Sequence, residues 1–145
     1  MSNYNGALDI CILQSGPNTD ISEAEYQRTG MQILPDEWSE LFYNELKVPS
    51  PEPYTEGEVF VEYDRRQKML FEDFLRERSL PMLGKISDIY QDVVFLPSEV
   101  DALYLESSKL SKLVTSELAQ AALSKLFDAC VEAKKYNFGL ILTSD

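Results

Sequence analysis

Leu8-Asp9-Ile10-Cys11-Ile12-Leu13 is the stretch of sequence that decides the fold. It is short, almost wholly apolar, and bounded by Gly6 on one side and Ser15-Gly16-Pro17-Asn18 on the other. That is the pattern of a strand closed by a turn. A second stretch resembles it at the far end of the chain, Phe138-Gly139-Leu140-Ile141-Leu142-Thr143. A lone strand leaves its backbone amides and carbonyls unpaired, so the two ends are expected to meet in one small sheet. Their continuous apolar character suits strands covered on both faces. The residues between them read mainly as helix. The expectation is an α+β fold: a single globular domain over residues 1–145, mainly helical, with a small sheet that includes the N-terminal and C-terminal strands. A chain of this length hides roughly two-thirds of its unfolded surface, enough for a core without staples.

Inward from the first strand, residues 14–34 are polar and rich in turn formers, with Met31-Gln32-Ile33-Leu34 a candidate second strand. Pro35 opens an amphipathic helix to about Lys47, with Trp38, Leu41, Phe42 and Leu46 on one face and Asp36 and Glu37 in the first turn. The proline-rich connector 48–53, Val48-Pro49-Ser50-Pro51-Glu52-Pro53, cannot continue a helix and ends it. Residues 55–78 carry two signals. Val59, Val61 and Tyr63 alternate as in a strand, whereas Phe60, Tyr63, Gln67, Leu70, Phe71 and Phe74 keep a helical period. A Thr55/Glu58 capping box and the acid-before-base pairs Glu62–Arg66, Asp64–Lys68 and Glu72–Arg76 favour one long helix.

After Pro81, the spacing of Met82, Ile86, Ile89, Tyr90 and Val93 predicts a short helix, and Val93–Leu96 an extended link or short strand. Ser98 with Asp101 forms another capping box, opening a helix to about Val114. Ser116 to Lys135 is the clearest helix. Ala119, Ala122, Leu123, Leu126, Phe127, Cys130 and Ala133 form its apolar stripe, and Asn137 suits a left-handed cap.

Charge is unevenly spread along this framework. Residues 1–64 hold 13 acids against Arg28 and Lys47, whereas residues 65–145 hold 12 acids and 11 bases; the chain as a whole is at −12. Such a balance disfavours a nucleic-acid backbone as partner. No apolar run approaches the roughly 20 residues that cross a bilayer, so no membrane partner is expected. Met1-Ser2-Asn3-Tyr4-Asn5 does not read as the start of a signal peptide, and a cytoplasmic protein is the expectation.

The chain has no histidine, which removes Ser-His-Asp and Cys-His catalysis and imidazole metal ligation. Cys11 and Cys130 stand in apolar surroundings and read as buried small hydrophobes. Phosphate-binding glycine loops, GxSxG, HExxH and an EF-hand loop are all missing. Carboxylate groupings are the remaining catalytic material: Asp36 with Glu40, Glu58 with Glu62, and Glu72-Asp73 beside Phe71 and Phe74. Acidic helices produce such pairs by chance, so no catalytic residue, metal or other cofactor is assigned. Arg65-Arg66-Gln67-Lys68 reads as the receiving end of intrahelical ion pairs.

Trp38, Tyr43, Tyr54, Phe60 and Tyr63 cluster in the acidic part of the chain. Most fit the core faces of their helices; Tyr43 and Tyr54 do not. The expected recognition surface is therefore Asp36, Glu37, Glu40, Tyr43, Glu45 and Tyr54, facing a basic protein partner. Inhibitor and immunity-type proteins share this size, charge sign and lack of catalytic motifs, a likeness of composition alone. The alternatives from other classes are a carboxylate-dependent, divalent-metal enzyme and a structural or regulatory subunit.

Overall fold

The computed structural model describes residues 6–14 and 25–144. The Met1–Asn5 and Ser15–Asn18 readings lie outside the described residues. Strand β1 (Leu8–Gln14) and strand β4 (Gly139–Ser144) lie side by side and antiparallel, Leu8 opposite Ser144 and Leu13 opposite Gly139. Strand β2 (Glu25–Ile33) covers the other edge of β1, and strand β3 (Val93–Phe95) that of β4, giving the order β2-β1-β4-β3. The α+β architecture with both end strands in one sheet is the one expected. A side chain at Gly139 would collide with the Phe95 carbonyl, so only glycine lets β3 and β4 close to this spacing.

Helices α3 (Pro97–Ser111) and α4 (Glu117–Lys135) pack on each other and on the sheet. Leu8, Ile10 and Ile12 of β1 and Leu140 and Leu142 of β4 join their apolar stripes in one core. The small residues Ala119, Ala122, Ala129 and Ala133 of α4 are wholly buried there, with Cys130 among them. Burial pushes the Cys130 thiol up to about 12, which keeps it an inert, uncharged packing group. Ser116 caps α4 by accepting from the Ala119 amide, and Asn137, at φ 55°, closes it in the left-handed conformation.

Several elements differ from expectation, each for an identifiable reason. Strand β2 begins at Glu25, well before Met31, because its pairing with β1 overrides a polar sequence; most of it is exposed. Between Asp9 and Cys11 it spends extra residues in a bulge, where Thr29 Oγ1 donates to the Ile10 carbonyl at 2.7 Å. The helix from Pro35 is α-helical only to Ser39 (α1) and continues as a π-helical segment, Glu40–Glu45. It ends where Lys47 turns left-handed and the Val48 amide bonds the Phe42 carbonyl.

Helix α2 (Phe60–Arg76) starts five residues after Thr55. Glu58 does accept from the Thr55 amide, but that bond closes a turn rather than opening the helix. Phe60, placed on a core face by its period, is 66% exposed, because only the second half of α2 reaches the core, through Phe71 and Leu75; Leu70, in that half, is exposed and lines the groove described below. The predicted helix after Pro81 is a single 3-10 turn, Leu83–Lys85, held by Glu106 of α3, whose two carboxylate oxygens accept the Met82 and Leu83 amides. Helix α3 starts at Pro97 and its box is made by Glu99, which accepts from the Leu96 amide, not by Ser98 and Asp101.

Candidate functional site

A groove of about 600 Å³ opens between α2, the π-helical segment and two loops, 48–52 and 87–90. Its placement follows from three local features. The first is the change of helical pitch. In a 3.6-residue helix Tyr43 points away from Trp38, but a π turn aligns residues five apart. Tyr43 therefore stands edge-on to Trp38, ring centroids 5.3 Å apart. The second is the indole N–H of Trp38, which donates to the Ile86 carbonyl at 2.9 Å and so fixes the start of the 87–90 loop. The third is Gly84, where a Cβ would already touch Leu75 Cβ at 3.4 Å, so the 3-10 turn lies directly against α2.

The groove is lined by apolar surface from Trp38, Val48, Leu70, Phe71, Phe74 and Ile89. Trp38 stacks parallel to Phe71 at 6.0 Å, which makes a rigid aromatic wall. Five carboxylates, Glu52, Asp64, Asp73, Glu77 and Asp88, also line it, against the single ammonium of Lys68. Three of the five are ion-paired: Glu52 with Arg66, Asp64 with Lys68, and Asp73 with Arg76. Glu77 and Asp88 have no cationic partner among the described residues. Asp88 accepts the Tyr90 amide through one oxygen. Burial, and then the negative charge of Asp88, push the Tyr43 hydroxyl above its usual range, so Tyr43 stays neutral and able to donate.

The proline-rich stretch is not a free linker but a strap along α2. Arg66 donates to Glu52 at 3.0 Å, to the Pro53 carbonyl at 2.9 Å and to both oxygens of Glu58. Gln67 Oε1 accepts the Glu52 amide at 2.9 Å, while Gln67 Nε2 is buried with no hydrogen-bond partner among the described residues. These bonds replace the expected Glu62–Arg66 pair. They also hold the Glu58 carboxyl at about 2, through the Arg66 guanidinium and then the Thr55 amide. Tyr54, at the end of the strap, stacks flat on Tyr63 with centroids 3.9 Å apart.

Of the six residues expected to meet a partner, only Tyr43 lines the groove. Asp36 is exposed in the first turn of α1. Glu37 is buried: it accepts the Leu34 amide and binds Lys125 of α4 at 2.7 Å, a tie between layers rather than an outward charge. Glu40 accepts from Asn44, and Glu45 accepts the Thr115 and Ser116 amides, placing its charge at the positive end of α4. Tyr54 is half exposed on the strap.

Sequence reasoning missed Glu77 and Asp88. The signal within reach was Glu72-Asp73 flanked by Phe71 and Phe74, since Asp73, Phe71 and Phe74 all line the groove. The carboxylate pairs considered for metal do not form ligand sets: Glu58 turns to Arg66, and among the described residues no group of three or more His, Cys, Asp or Glu could hold an ion. Among those residues, no helix is long and apolar enough to cross a membrane. No protein-family model, curated protein or solved structure matches the chain.

Proposed function

We propose that the protein is a non-enzymatic binding protein that takes a basic segment of a protein partner into the groove beside α2, as an inhibitor or immunity-type protein would. The observation that carries this reading is the combination in one concavity of an aromatic wall with two carboxylates, Glu77 and Asp88, that have no cation of their own among the described residues. An apolar side chain can fill the floor while a neighbouring cation meets the carboxylates, the usual division between buried anchor and charged rim. The excess of negative charge over residues 1–64 adds long-range attraction for a basic partner and would speed encounter. The proposed setting is the cytoplasm, in keeping with Cys11 and Cys130, both buried and unpaired.

The test is calorimetric titration of the full chain with acetyl-Lys-Leu-Lys-Leu-Lys-amide and with its glutamate counterpart, at two protein concentrations. The basic peptide is expected to bind, more weakly as salt rises, and the acidic one not to bind. Combined Glu77→Gln and Asp88→Asn should weaken binding at least about tenfold, the cost of one charged contact of about 1.4 kcal/mol. Failure of basic peptides to bind, or self-association that closes the groove as concentration rises, would overturn the reading.

A further inference from the structure

The rings that border the groove already carry guanidinium groups. The Arg78 guanidinium lies over the Phe74 ring, 3.4 Å from its centroid, and that of Arg66 stands 5.6 Å from the centroid of Tyr63. Phe74 and Tyr63 both line the groove, whereas neither arginine does. Lys68, the cation that does line it, is paired with Asp64 at 3.6 Å, and its ammonium is over no ring among the described residues. Lysine–ring contacts occur elsewhere in the fold, at Lys85 over Phe95 and Lys134 over Tyr104, so the segregation is a property of this region rather than of the whole chain.

The physical reason lies in the difference between the two cations. A guanidinium is planar, weakly hydrated and stacks on aromatic faces while its edge donates to a carboxylate in a fork. An ammonium holds its water more strongly and gains less from a half-enclosed aromatic wall. Between the groove's walls the two requirements meet: ring surface from the half-buried Tyr43 and Phe74, backed by the buried Trp38, and carboxylates at Asp88 and Glu77 with no cation among the described residues. Asp88 has the oxygen not engaged by the Tyr90 amide available to a fork.

We infer that the groove reads arginine: the occupant is a partner segment that places an arginine side chain along the half-buried rings of Phe74 and Tyr43, with its guanidinium edge on Asp88 and Glu77. The inference rests on the binding reading above and narrows its partner to one presenting arginine beside an apolar residue. Lysine-rich segments would be attracted by charge but held less well.

The single tryptophan of the chain, Trp38, lies in the wall and supplies the readout. Its emission is followed as the full chain is titrated with acetyl-Arg-Leu-Arg-Leu-Arg-amide and with the lysine peptide of the same pattern. The arginine peptide is expected to bind at least about fivefold more tightly. Phe74→Leu keeps an apolar floor but removes one ring, and should bring the two peptides to within about twofold of each other. Equal affinities in the wild-type protein, or a preference that survives Phe74→Leu undiminished, would overturn the arginine inference and leave basic-segment binding standing. Binding of neither peptide would remove both.

Discussion

The sheet with α3 and α4, and the region of α1, the strap and α2, are built from different materials. In the first, continuous apolar strands and helical apolar stripes fill one core, and the small residues of α4 let neighbours approach closely. In the second, α2 meets the core only through its second half, and the remainder is held by side chains bonding to backbone: Arg66 to the strap, Gln67 to Glu52, Trp38 to Ile86. Hydrophobic packing fixes a fold with little freedom left over. Polar clamps fix a shape while leaving Tyr43, Phe74 and the carboxylates of Glu77 and Asp88 open to solvent in part, as the proposed binding surface requires. The contrast is why the proposed binding function is placed in the second region and the scaffold in the first.

The sharpest way to break that division is to disturb each region in turn. The largest expected effect is in α4. Cys130→Lys buries an unpaired charge in the wholly apolar stripe and should cost about 4 kcal/mol or more in urea unfolding. Native Cys130 should also stay unlabelled by thiol reagents until the protein unfolds. Rapid labelling, or a mild loss of stability, would show that the scaffold is looser than its packing implies.

Next comes the joint between the regions. Glu106→Ala leaves the Met82 and Leu83 amides without their acceptor and should cost about 2–4 kcal/mol, one to two buried donors left unsatisfied. Gln in its place keeps one acceptor and should cost less. Equal losses for both would mean that the charge of Glu106, not its two hydrogen bonds, holds the 3-10 turn.

A smaller, local effect is expected in the strap. Arg66→Met should act locally, because its partners Glu52, Pro53 and Glu58 all lie in or beside the strap, and should speed proteolysis within residues 52–58. The pH dependence follows from Glu58. Its carboxyl is held at about 2 when folded, below the ordinary value of 4.5. The folded state therefore binds that proton less readily than the unfolded chain, and the contribution of the clamp is fully present above about 4.5. It is lost as pH falls through about 2, so strap protection should fade between those values in the wild type. Arg66→Met should abolish that fading.

How much of this was legible depends on which material encodes it. The end strands and α4 are readable because burial writes itself into the sequence, as a nearly continuous apolar run at Leu8–Leu13 and as an unbroken helical stripe at Ala119–Ala133. Strand β2 is readable only at Met31–Ile33, because the rest is polar and defined by its partner. The groove was mostly hidden. A period of 3.6 cannot place Tyr43 beside Trp38 when the backbone there is π-helical. Nor does the spacing of Glu77 and Asp88 reveal that a loop fixed by Trp38 brings them to one concavity. The strong acidity of residues 1–64 was plain, but Glu37 and Glu45 spend their charge on Lys125 and on the end of α4.

The smallest expected change in stability belongs to the groove itself, and it carries the central claim. Combined Glu77→Gln and Asp88→Asn removes two charges that bond no cation among the described residues, so stability should shift by no more than about 0.5 kcal/mol. The most direct measurement is amide chemical-shift mapping of the full chain with acetyl-Arg-Leu-Arg-Leu-Arg-amide, on the wild type and on this pair. Shifts should gather at Trp38, Tyr43, Phe74, Glu77 and Asp88, leave β1, β4 and α3 undisturbed, and vanish in the folded double variant. Shifts centred on the sheet or on α3, or a groove that stays silent at saturating peptide, would contradict the account.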